Sequence, residues 1–368
     1  MCSGSTGGCG PPSPSSILGQ GLALLFFRAE SPRMRKQVLL LAELAISLAI
    51  IAAVLYLVDV GKVIEAIASA NPFFLIAAFT AYFGINLGMS TRIRVILAEM
   101  GHRVAAAPAL MANFAGMLVS DFTPARSGYF ATAFALTANE KIPLNRSIVS
   151  ILGPQMFDFM VKVGAGGIAI IYIFYRLNLG EGSLAGMLLG VIGLSAMLVF
   201  GVLLLFSKRF LAMLGAIERL PFGKKVYGEL AVMQKNAAAI KRVIWAILVL
   251  MAVTWTLKGI EWWFLAMSIG MEPQIDFHPL VFYMFLQPLI TMLQFIPTPS
   301  LAGMGVSEAG SVAVLALFGV PAHIAVAFAI MTRSLMIILD LVGVNEARRV
   351  VRKNLDKIFE GKMAGWDE

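Results

Sequence analysis

A chain of 368 residues that is 59% hydrophobic and only 14% charged, with a mean hydropathy of +0.84, lies outside the range of soluble domains and reads as an all-α polytopic membrane protein. Its net charge of +8 does not point to nucleic acid, because the basic residues fall in short clusters between apolar runs, where membrane topology accounts for them. The only cysteines, Cys2 and Cys9, share a Gly/Ser/Pro-rich N-terminus and the histidines are scattered, so no disulfide framework, metal site or cofactor is expected.

Residues 1–33 open with "MCSGSTGGCGPPSPSS", which cannot bury a core, and the following "ILGQGLALLFF" is too short to span a membrane. They are expected to be a disordered N-terminal extension to a folded unit over 34–355, with residues 356–368 as a cytoplasmic tail. Apolar runs long enough to cross a bilayer lie at about 38–58, 73–97, 147–174, 184–206, 243–268 and 322–344. Two further apolar segments, about 105–138 and 279–319, are interrupted by Pro and Gly and do not read as continuous helices.

Lys and Arg collect on the cytoplasmic side of membrane proteins, which orients the runs. Arg33, Arg35 and Lys36 precede the first run; Arg92, Arg94 and Arg103 follow the second; and residues 208–242 hold eight basic residues against Glu218 and Glu229. "GMEPQIDFH" is acidic, and Arg348, Arg349, Arg352, Lys353 and Lys357 follow the last run. Both termini are therefore placed inside, and the basic loop 208–242 is cytoplasmic. Parity then requires 105–138 to begin and end inside and 279–319 to begin and end outside, so each is read as a re-entrant broken-helix hairpin.

The two breaks resemble one another. "FTPARSGYF" (122–130) and "FIPTPSLAGMGVSEAG" (295–310) share Phe-x-Pro, a small-residue turn and a small-rich helix, and each is followed by a Pro-containing loop and a span bearing buried polar residues. Two such units, about 73–174 and 243–344, in opposite orientation form the inverted repeat of secondary transporters, whose sites lie where broken helices meet near mid-membrane. Irregular backbone at that depth must be packed in protein or line a wet cavity. Pro124, Gly128, Pro297, Pro299, Gly303 and Gly305 mark such places.

Half-helix N-termini suit an anionic group such as a lipid phosphate, and Arg126 in the first break matches its geometry, with snorkelling to the interface as the alternative. Glu308 either caps the second half-helix or takes part in substrate or proton handling. Asp158, Arg333 and Asp340 occupy corresponding points after the breaks and are read as sharing a polar cavity. Asp158 with Lys162, and Lys258 with Glu261, have the spacing of local helix pairs; Asn86 and Gln155 have the usual character of interhelical hydrogen-bonding amides. No catalytic residues are expected: there is no Walker A, G-x-S-x-G or H-E-x-x-H sequence, and Ser307 has no histidine close in sequence.

"PTPSLAGMGVSEAGSVAVLALFGVP" (297–321) resembles the P-G-G-x-G-x-x-E-A motif, small-rich helix and "LGVP" of the lysylphosphatidylglycerol synthase transmembrane-domain, or flippase-like, membrane proteins. "FTPARSGYF" followed by "RSIVSILGPQMFDF" resembles an earlier segment of the same family, and "PSLAG" departs from its usual "PGG". The resemblance spans about residues 34–355. It implies movement of a lipid with a large polar head between leaflets of the cell membrane. The partners it implies are a phospholipid or a polyprenyl-phosphate-linked sugar, and a separate synthetase or glycosyltransferase. In two-domain relatives a cytoplasmic synthetase domain makes the lipid; nothing like it occurs in these residues, so aminoacyl transfer is not expected. The alternative is a non-transporting scaffold that docks such an enzyme through loop 208–242. The sequence does not fix the oligomeric state.

Overall fold

The computed structural model describes residues 44–177 except 51, 54 and 57, scattered positions within 192–215, and residues 223–293 and 305–360. Among them every regular element is helical. The N-terminal extension and Pro297, Pro299 and Gly303 lie outside the described residues, and the apolar runs at 38–58 and 184–206 lie only partly within them.

Helix α1 (Val60–Ala68) starts where the Asp59 carboxylate accepts from the Lys62 N–H at 3.3 Å. Helix α2 (Pro72–Glu99) starts at Asn71, whose side chain accepts from the Phe73 N–H at 2.9 Å, with a proline at its opening position. Its 28 residues, at about 1.5 Å each, exceed the roughly 30 Å of a bilayer's hydrocarbon. Helices α5 (Leu144–Leu177), α8 (Ile244–Ser268) and α11 (Ala322–Asp340) are also apolar spans; the last continues through a 3-10 turn (Leu341–Gly343) into the basic helix α12 (Val344–Glu360). Helix α5 carries Pro154 in its interior.

The first interrupted segment is interrupted in the structure, and the second runs through residues outside the described ones. The first is helix α3 (Ala106–Asp121), a 3-10 turn (Pro124–Phe130) and helix α4 (Ala131–Glu140), with α3 and α4 packed on each other as a hairpin. The second has helices α9 (Pro279–Leu293) and α10 (Val306–Ala316) on either side of the undescribed 294–304. Short helix α6 (Lys208–Met213) and helix α7 (Gly223–Arg242) belong to the basic loop.

Besides two smaller clusters around Ile240 and Leu118, two large apolar cores form among the described residues. One gathers the first half of α2, the C-terminal half of α8, and α9, α10 and α11 around Tyr82, Trp262, Tyr283 and Phe328, with Trp262 edge-on to Phe328 at 5.4 Å. The other gathers the end of α2 with α3, α4 and the start of α5 around Ile93, Leu97, Leu136 and Ile148. Apolar side chains such as Phe73, Ile76, Ile168 and Val249 are exposed. In water such a surface would be a liability; against lipid it is the expected outer face.

Candidate functional site: a charged cavity between the two cores

A cavity of about 520 Å³ opens between the cores, walled by α2, α3, the first break, α5, α8, α9 and α11. Its wall is mostly apolar, with Met89, Phe159, Met251 and Trp255 prominent. Set into it are Arg92, Arg126, Asp158, Lys162 and Lys258, together with Gln155 and Gln287. A smaller cavity of about 60 Å³ holds Glu308, Arg333, Ser307 and Ser311 and shares Arg126, Lys258, Gln287, Thr291 and Met336 with the first. Arg126 and Lys258 therefore stand where the two spaces adjoin.

The first break is built around close backbone approach. A Cβ on Gly128 would stand 2.5 Å from the Val119 carbonyl carbon and oxygen, so only glycine fits there. The Gly128 N–H donates to Thr123 Oγ1 at 2.6 Å, and Arg126 itself adopts the left-handed conformation at φ 56°. That backbone turns its guanidinium back onto α3: Nε donates to Ser120 Oγ at 3.1 Å and Nη2 to Asp121 Oδ1 at 2.9 Å. Tyr129 Oη donates to Asn113 Oδ1, and Asn113 in turn donates to Asn86 Oδ1 on α2 at 2.7 Å, which ties the break to the long helix. The interhelical role expected for Asn86 is observed; Gln155 instead faces the cavity.

The second break ends at Gly305, whose φ of 87° strains any other residue. Glu308 caps α10 from within its first turn: Oε2 accepts from the Gly305 N–H at 2.7 Å and from Ser307 Oγ at 2.9 Å. Oε1 accepts from Arg333 Nε at 2.9 Å and pairs with Nη2 at 2.8 Å. Capping and an ion pair thus coexist in one carboxylate.

Lys258 donates to both oxygens of Glu261, at 2.9 and 2.7 Å, as their spacing predicted. The other expected local pair does not form. Asp158 accepts at both oxygens from Arg92 Nη1, at 2.8 and 2.9 Å, across 66 residues of sequence, because the guanidinium of Arg92 is almost wholly buried and needs a charge partner there. Lys162 is left beside the Phe159 ring. Asp340 does not line either cavity; it is fully buried and accepts from Tyr82 Oη at 2.9 Å. Of the three residues expected to share a cavity, Asp158 stands in the large one and Arg333 in the small one.

Arg92 had signalled only topology in the sequence, and Asp121 nothing at all. The one hint was the placement of Asp121 five residues before Arg126, at the edge of the break. No group of three or more His, Cys, Asp or Glu side chains suited to a metal occurs among the described residues. A separate apolar pocket of about 250 Å³ lies further along α5 and α9, walled by residues such as Ile168, Ile173, Phe285 and Leu289.

A cavity of paired charges inside long apolar helices defines a multi-pass integral membrane protein. Residues 40–343 match the profile of the Lysylphosphatidylglycerol synthase TM region, and the chain belongs to that family. It is also similar to Glycosyltransferase AglD of Haloferax volcanii, at 27% identity over 158 residues, 42% of this chain and 25% of that protein. The chain thus spans about a quarter of the length of that curated relative.

Proposed function

We propose that the protein is a lipid flippase or transporter that carries an anionic or lipid-linked polar head group between leaflets through the charged cavity. The observation that carries this reading is the cavity itself: at about 520 Å³ it is within the usual size of small-molecule sites, and its charges stand among helices long enough to span a membrane. Intramembrane charges cost several kcal/mol unless paired or wet, and they mark substrate pathways. In this reading the head group meets Arg126, the half-helix N-termini and Arg333, while Glu308 and Asp158 relay protons. The apolar pocket along α5 and α9 takes a hydrocarbon chain.

The positive-residue clusters support an orientation with both termini inside, and the two broken segments then enter from opposite faces as an inverted repeat. The similarity to a glycosyltransferase favours a polyprenyl-phosphate-linked sugar among the candidate lipids. It also supports the second reading, a scaffold for a separate glycosyltransferase or lipid-modifying enzyme.

Reconstitution into liposomes with fluorescent lipids, followed by dithionite quenching from outside, tests transport. Quenching beyond one leaflet's share with wild-type protein is the expected result. Protein-independent quenching with both phospholipid and polyprenyl-phosphate-sugar probes would contradict it.

A further inference from the structure

We infer that the cavity selects a lipid whose head group carries one net negative charge, with Lys162 as the residue that reads it; this rests on the transport site proposed above. Four cations line the space against one lining carboxylate. Arg92 is held by Asp158 at 2.8 Å, Arg126 by Asp121 at 2.9 Å and Lys258 by Glu261 at 2.7 Å. Asp121 and Glu261 are fully buried behind the wall, so these three pairs are internally balanced; Asp340, buried behind Tyr82, is held by that residue's hydroxyl and not by a cation.

Lys162 is the lining cation outside these pairs. Among the described residues its ammonium has no hydrogen bond and no carboxylate within ion-pair distance, and it rests 5.9 Å from the centre of the Phe159 ring. Asp158, one turn earlier, has both oxygens engaged by Arg92. An ammonium in a largely apolar membrane wall needs water or a counter-ion, and among the described residues the nearby carboxylate, Asp158, is already committed to Arg92.

The surroundings suit an anion that needs hydrogen bonds as well as charge. Gln155 lies two turns before Lys162 on the same helix face and lines the same cavity. Arg92, whose Nη1 is spent on Asp158, lines the same space. A phosphodiester with one charge neutralises Lys162 and leaves the wall balanced. A zwitterionic head group brings a second cation, and a net-positive one such as lysylphosphatidylglycerol meets an uncompensated ammonium. The cavity therefore disfavours the aminoacylated lipid from which the family takes its name.

The test is displacement of a fluorescent short-chain phosphatidylglycerol from the purified full-length protein in neutral detergent. The competitors are unlabelled short-chain phosphatidylglycerol, phosphatidylcholine and lysylphosphatidylglycerol. Wild-type protein is expected to prefer phosphatidylglycerol about tenfold over either, Lys162→Met to bring all three within about twofold, and Lys162→Arg to keep the preference. Because Lys162 has no partner to orphan, the methionine variant should melt like wild type; if it does not, the arginine variant set against Lys162→Gln carries the comparison. A preference that survives loss of the ammonium overturns the inference, as do equal or better displacement by lysylphosphatidylglycerol in wild type and absence of saturable binding. Leaflet exchange without this selectivity overturns the inference alone, whereas selectivity without leaflet exchange overturns the transport reading and leaves the binding site standing.

Discussion

At the first break the charged residue is a cation, Arg126, and its counter-ion Asp121 stands five residues back on the same hairpin. At the second it is a carboxylate, Glu308, and its counter-ion Arg333 arrives from the next long helix, 25 residues on. The first arrangement is local: the α3–α4 hairpin can carry its ion pair with it. The second staples α10 to α11. The same sequence idea, a Pro/Gly interruption with one charge, thus yields one ion pair within a hairpin and one ion pair between helices.

The harshest way to break this comparison is Gly128→Ala. The added methyl would meet backbone of α3 at 2.5 Å, which cannot yield as a side chain can, so a loss of about 3 kcal/mol is expected. Thermal melting in detergent reads it, and an unchanged melting temperature would mean that the tight turn is not as drawn.

Glu308→Gln comes next, at about 2 kcal/mol. Both oxygens of Glu308 accept from donors, so either placement of the amide sets its nitrogen against one. Asp121→Asn should cost about half of that, because Oδ2 of Asp121 has no donor among the described residues and can become the amide nitrogen without conflict. Chemical unfolding of the two variants side by side checks the order; equal costs would erase the distinction between local and stapled breaks.

A smaller effect concerns His102, in the loop between α2 and α3, whose ring nitrogen Nε2 faces Arg146 Nη1. Partial burial and then the Arg146 guanidinium hold this imidazole below its ordinary value. The folded state therefore binds this proton less readily than the unfolded chain does. Its stabilising effect is complete above the ordinary imidazole range, near about pH 6.5, and is lost as pH falls through the folded-state value. Melting at pH 5 and pH 8 should differ less in His102→Gln than in wild type. Smallest is Asn139→Ala, which removes an exposed 2.6 Å hydrogen bond to Glu346 that ties α4 to α12; under about 0.5 kcal/mol is expected in the same melting experiment.

What the sequence made legible follows the range of the interaction. Helices α2, α5, α8 and α11 announce themselves because apolar length alone specifies a span, and Lys258–Glu261 is legible because one helical turn fixes the partner. The interruptions at 122–130 and around Gly305 are legible for a similar reason: Pro and Gly act on their own backbone. Arg92–Asp158 is not, since i,i+4 spacing made Lys162 the nearer choice and nothing local announces a partner 66 residues away. Asp340 looked like a cavity residue because an aspartate in a span usually faces water; the Tyr82 hydroxyl, reached only in three dimensions, buries it instead.

Transport through the cavity is tested most directly by the paired variant Asp121→Asn with Arg126→Gln, which removes the guanidinium from the junction of the two spaces without stranding a buried carboxylate. It should be compared, in the same dithionite assay, with a variant in which Lys224, Lys225 and Lys241 of the basic loop are neutralised. The account predicts that the paired variant, at unchanged melting temperature, loses most of the leaflet exchange while the loop variant keeps it. Full exchange in the paired variant, with loss only in the loop variant, would contradict a transport cavity and favour the scaffold.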